Sequence, residues 1–176
     1  IYRLDVEGEA PSAVGAQPAA PASATLANAA FTVTADAADG TLFVVDRRNV
    51  RALRGLNRFV DGGDKGDEYN YCVPETETVV DRPSAPPKIR IERPAPGVQQ
   101  LIIEKTYGLP AGLAADRLSR SSTATVSERI VSTVTLTDGV PRIDVSTVVF
   151  NGAEDHRLRV HFPSGVTASV SKADQH

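Results

Sequence analysis

Residues 57–75, NRFVDGGDKGDEYNYCVPE, bring together five carboxylates, three glycines and two tyrosines, with almost no aliphatic residue besides Val60 and Val73. Asp61, Asp64 and Asp67 recur at every third position, and Gly62, Gly63 and Gly66 allow close backbone approach, so several carboxylates can be turned toward one point. Three chemistries fit such a stretch. Clustered oxygens suit calcium, but Gly66 stands two residues after Asp64, where the helix-loop-helix calcium pattern needs a carboxylate, and no bidentate glutamate follows at the right remove. Sugar recognition would use Asp67 as an acceptor for hydroxyls, with Tyr69 and Tyr71 offering a ring for a pyranose face and a phenol to bond with. In the third reading the carboxylates cap the turns of a solvated connection. Composition leaves all three open.

The remaining reactive side chains are sparse. Cys72 is the single cysteine, so it forms no internal disulfide and no cysteine cage; it reads as a small buried hydrophobe in a reducing, cytoplasmic setting. The three histidines, His156, His161 and His176, contain no pair four residues apart and no matching carboxylate frame, so a zinc site cannot be built from them. His156 beside Asp155 reads as a strand-end residue rather than a catalytic base, and Arg157 as part of an exposed strand face. A glycine-rich loop is also a poor support for a nucleophile and its acid partner, so no residue is assigned as catalytic.

The elements that must carry these residues are strands. The chain has 176 residues, 41% hydrophobic and 23% charged with a net charge of −3: enough for one packed core, and no basic field to attract nucleic acid or an anionic membrane. The Ala/Pro/Ser run at 18–30 has too few large aliphatic residues for a spanning helix or a signal segment, so the chain reads as soluble. Val126, Ile130, Val134 and Leu136 share one parity against Thr125, Ser127, Arg129, Thr133 and Thr135, which marks a long strand. The Asp138-Gly139 turn leads to a partner at 142–150, and RLRVHF (157–162) follows as a third antiparallel strand. Upstream, 31–47 reads as two strands joined at Asp39-Gly40, and 99–107 as another. GLAADRLSR (112–120) is the only helix-like stretch and is short. Without alternating helices, eight or so strands imply an all-β, antiparallel β-sandwich. Six prolines make 73–97 an excursion holding at most the short strand KIRI. Residues 7–24 read as a linker, giving a division into 1–24, a first strand with an Ala/Pro-rich linker, and 25–176, the sandwich. Both ends read as cut from a longer protein.

Four segments carry a resemblance: TLANAAFTVTADAADGTLFVVDRR (25–48), LNRFVDGGDKGDEYNYCVPE (56–75), VTLTDGVPRIDV (134–145) and DHRLRVHFPSG (155–165). Together they resemble the β-domain of glycoside hydrolase family 38, the α-mannosidases, in its bacterial branch, over Tyr2 to about Val166. The second segment is similar to the family pattern DGGDRGDxYNYxPP, with Lys65 in place of its arginine and Val73 in place of its first proline. Lysine keeps the charge and gives up the planar fork. The resemblance implies a galactose-mutarotase-like sandwich and a parent enzyme that hydrolyses α-mannosides with retention, using an aspartate nucleophile and a zinc ion. Both belong to an N-terminal catalytic domain absent from these residues, so this piece would need no cofactor of its own and be inactive alone. Its partners would be that domain and an α-mannoside. Tyr69 matches the family tyrosine that reaches the bound sugar; Asp67 and Asp64 would orient it or bond at the domain interface, and Arg157 is a further candidate contact. The alternative is a free-standing carbohydrate-binding or calcium-binding β-sandwich module.

Overall fold

The computed structural model describes residues 2–5, 23–67 and 69–167, which form eleven strands and no helix. A four-stranded sheet has the order β2 (Ser23–Ala27), β3 (Phe31–Asp36), β4 (Leu42–Asp46), β5 (Arg51–Leu56). A five-stranded sheet has the order β1 (Tyr2–Asp5), β10 (Ile143–Phe150), β9 (Thr125–Thr137), β8 (Val98–Pro110), β7 (Lys88–Ala95). β6 (Arg58–Gly63) and β11 (His156–His161) form a two-stranded sheet. All pairings are antiparallel except β1 with β10.

The backbone of the fold is the pairing of β8 with β9, thirteen residues each. Its register places Leu101 opposite Val134, Ile103 opposite Ser132, Lys105 opposite Ile130, Tyr107 opposite Glu128 and Leu109 opposite Val126. Period-two alternation therefore commits one continuous face to the interior. At one end of that face Leu101, Ile103, Val134 and Leu136 meet Leu26, Val33, Leu42, Val44 and Leu56 of the four-stranded sheet, with Ile89 closing the side. At the other end Tyr107, Leu109, Ile130 and Val149 meet Phe59 and Ala153, with Val80, Val126 and Leu158 around them. Thus the two-stranded sheet covers the half of the ladder that the four-stranded sheet leaves bare.

Polar residues mark the seam. Asn57, fully buried with φ +59, turns the chain from β5 into β6. Its carbonyl accepts a 2.7 Å hydrogen bond from Lys105 Nζ and its Oδ1 accepts one of 3.1 Å from Ser132 Oγ. Lys105 is fully buried, its amine 5.2 Å from the Phe59 ring centroid, and burial pushes its pKa down to about 8, with Asp39 opposing.

Several expectations change. Residues 58–63 form a strand with five consecutive buried residues, so Phe59, Val60 and Asp61 belong to the core and not to a solvated bend. RLRVHF does extend an antiparallel ladder, but its partner is β6, not the 142–150 strand. KIRI grows to Lys88–Ala95 because pairing with β8 continues through a bulge between Glu92 and Ala95. The strand β2 begins at Ser23, inside the expected linker, whose residues 7–22 lie outside the described residues. At 112–120 there are turns and bridges instead of a helix.

The seam yields a pH dependence with a defined sign. A lysine with a lowered folded pKa leaves the unfolded chain holding more protons between about 8 and the ordinary 10.4, so Lys105 makes stability rise with pH across that window. Lys105→Met is expected to abolish that rise, measured as the melting temperature from pH 7.5 to 10.

Candidate functional site

The tyrosine-bearing segment 64–74 is an Ω-like loop whose ends meet. Lys65 N donates to Cys72 O at 2.8 Å, and Asp64 Oδ1 accepts from the Gly66 and Cys72 amides, each at 2.9 Å. Asp67 Oδ1 accepts from the Tyr69 and Asn70 amides at 3.0 and 2.8 Å, and these bonds hold its carboxyl below the usual aspartate range. Gly66 must lack a side chain, since a Cβ there would fall 1.7 Å from Asn70 O. Asp64 and Asp67 therefore cap the loop from within and fix its backbone.

The loop displays its aromatic residues. Tyr69 is 84% exposed and Tyr71 46%. Arg157 of β11 stacks over Tyr71, its guanidinium carbon 4.3 Å from the ring centroid. Of the four residues read as substrate contacts, Asp64, Asp67 and Tyr69 share one hydrogen-bonded loop, and Arg157 joins it through Tyr71. Cys72 is exposed on the same loop, a correction to its reading as a buried hydrophobe: the loop closes through backbone bonds and needs no buried side chain there.

Beneath the loop lies a charged cluster that sequence reasoning missed. Asp61 is 1% exposed; its Oδ2 is 2.5 Å from His156 Nδ1, and its Oδ1 is 2.6 Å from Arg120 Nη2, an ion pair outside hydrogen-bonding alignment. Arg120 Nη1 donates to Thr78 O at 3.0 Å, and His156 Nε2 meets Asn151 Oδ1 at 3.0 Å. Glu128 is fully buried in the field of these groups, and neither of its oxygens has a hydrogen bond of good geometry, although the Gly152 amide approaches. Burial pushes the Glu128 pKa up, an effect strengthened by Asp61 and opposed by His156, Gly152 and Arg120. The bond to Asp61 holds His156 above the ordinary histidine range; Glu128 adds to this, while burial and Arg120 oppose it. The available sequence signal was parity: Glu128 falls in phase with Val126, Ile130 and Val134 on an alternating strand.

Among the described residues, no group of three or more His, Cys, Asp or Glu side chains could hold a metal ion. What the site can do is present a phenol and an aromatic–guanidinium pair on a pinned backbone, a surface suited to a polar ring with hydroxyls.

These features define the chain as a β-sandwich domain that displays a braced aromatic loop at one end. Compared with solved structures, its fold is similar to that of an alpha-mannosidase from Enterococcus faecalis V583, with a TM-score of 0.77 and 25% identity over 85% of this chain and 18% of that one. It is similar also to a protein in glycosyl hydrolase family 38 from Enterococcus faecalis, with a TM-score of 0.77 and 24% identity over 92% of this chain and 21% of that one. The chain thus has the fold of one part of a family 38 α-mannosidase, as the resemblance in its sequence implies, and spans about a fifth of the length of these relatives. No family model matches the chain, and no curated protein matches it significantly.

Asp61→Asn would leave Arg120 and His156 facing a neutral amide in a buried space. It is expected to lower unfolding free energy by about 3–5 kcal/mol at pH 6, measured by urea denaturation. Asp67→Ala, at an exposed cap, is expected to leave the melting temperature nearly unchanged while raising proteolytic cleavage within 64–74.

Proposed function

We propose that this chain is the non-catalytic β-sandwich portion of an α-mannosidase, lining the sugar cleft beside an upstream catalytic domain and packing on that domain. The observation that carries this reading is Tyr69, a large aromatic side chain 84% exposed at the tip of a loop whose backbone is pinned by two buttressing carboxylates. An isolated domain gains nothing by ordering a loop to hold a phenol in water; a domain that must meet a hydroxylated ring does.

In this reading Tyr69 bonds a sugar hydroxyl and fixes the orientation of the mannoside, while Asp67 and Asp64 position Tyr69 through the backbone. Because the loop is ordered before substrate arrives, less conformational entropy is lost on binding, and the ring is held closer to its reactive geometry. Arg157 and Tyr71 form a flanking polar–aromatic shelf. The retaining chemistry, its aspartate nucleophile and the zinc that grips sugar hydroxyls belong to the upstream domain; the described residues of this chain offer no set that would hold the metal.

In the full-length enzyme, Tyr69→Phe is expected to lower kcat/KM for a nitrophenyl α-mannoside by about fivefold, the loss of roughly 1 kcal/mol for one neutral hydrogen bond. The 176-residue chain alone is expected to show no hydrolysis. Unchanged turnover in Tyr69→Phe would reduce the domain to a spacer, and micromolar binding of mannose-containing sugars by the isolated chain in calorimetry would instead favour a free-standing carbohydrate-binding module.

A further inference from the structure

The buried Asp61 cluster lies at the neck of the tyrosine loop. Gly63, where the loop leaves β6, pairs with His156 across the ladder, and its amide donates to Glu77 Oε1 at 2.8 Å. A Cβ on Gly63 would lie 2.7 Å from the ring of Pro74 and 3.0 Å from Arg120, so the two ends of the loop and the Arg120 side chain converge there. One residue further, Asp64 N donates to Asp155 O at 2.8 Å, and Asp155 has φ +47 at the turn into β11. Arg117 spans the same neck, 3.3 Å from Asp155 and 3.4 Å from Lys65 O.

The charges facing His156 come from every element packed around it. β6 contributes Asp61, β9 contributes Glu128, and the 111–124 segment contributes Arg120, while neutral Asn151 takes the second ring nitrogen. With His156 protonated, Asp61 is paired with two cations, Glu128 lies in their field, and both ring N–H groups have acceptors. Loss of that proton leaves Asp61 and Glu128 beside a single guanidinium, which favours the neutral form of Glu128 or an opening of the neck.

We propose that Asp61, Arg120, His156 and Glu128 form a proton-linked clamp on the loop neck, which makes Asp61 and His156 positioning residues for Tyr69. The link runs through the backbone: β11 begins at His156, and the preceding carbonyl, that of Asp155, holds the Asp64 amide. A histidine with a raised folded pKa stabilises fully below about pH 6.5 and loses that stabilisation as pH rises through its folded value; Glu128, also raised, acts with the same sign from the acid side upward. Lys105 acts with the opposite sign at higher pH but belongs to the seam of the sandwich, so a residue-level measurement is needed to separate them. The role for Tyr69 rests on the proposed function; the clamp itself does not.

The test is amide and histidine-ring NMR of the full 176-residue chain from pH 5.5 to 9. The Gly66 amide, held by Asp64, is expected to shift with the same midpoint as the His156 ring, above the ordinary histidine value. Beyond that midpoint, its hydrogen exchange is expected to rise about tenfold more than base catalysis alone produces. His156→Gln, which keeps a side-chain donor, is expected to flatten both responses. A Gly66 amide that stays still while the His156 ring titrates, or that moves identically in His156→Gln, overturns the clamp; should the variant fail to fold, the two wild-type midpoints decide alone. If Gly66 follows His156 while Tyr69→Phe leaves turnover of the full-length enzyme unchanged, the sugar-contact reading falls and the clamp stands.

Discussion

Asp61 is a carboxylate with almost no access to water, and the end of the molecule that carries the tyrosines is arranged around it. An isolated buried charge is costly enough that it must be paired, and here Arg120 and His156 reach it from separate segments of the chain. Each partner brings its own backbone along. Arg120 draws the 111–124 segment against Thr78, and His156 fixes the start of β11 opposite Gly63. A single electrostatic requirement therefore ties together four stretches that hydrophobic patterning alone would leave loosely related.

The same ladder, β8 with β9, serves two apolar clusters and carries polar groups between and beside them. Lys105 and Ser132 donate to the two oxygens of Asn57 at the buried turn that passes the chain from one sheet to the next. Such groups contribute little net stability compared with well-packed aliphatic residues, because desolvation offsets much of what their hydrogen bonds return. Their effect is to fix register and chain path: a slip of one residue in β9 would turn Ser132 and Glu128 outward and carry Ile130 and Val134 with them.

Display of an aromatic residue on a loop is useful only if the loop keeps its shape. In 64–74 two aspartates each commit Oδ1 to backbone amides of the loop, and a glycine lies where a Cβ would strike a carbonyl. The turn-capping reading of these carboxylates is thus the one their hydrogen bonds display: the aspartates shape the loop, and the tyrosines face out.

The sequence by itself determined the all-β sandwich, the β9–β10 hairpin at Asp138-Gly139 and the β3–β4 pair at Asp39-Gly40, because period-two alternation and turn chemistry are local properties. It also marked 57–75 as the unusual segment. Only the tertiary structure decided that Arg58–Gly63 is a buried strand, since its glycines and Asp61 look like a bend until β11 covers them and Arg120 neutralises the charge. It likewise decided that RLRVHF crosses to β6 and that Glu128 faces Asp61 and not solvent. Strand partners and buried charge pairs depend on residues far apart in the chain, which no window of neighbouring side chains contains.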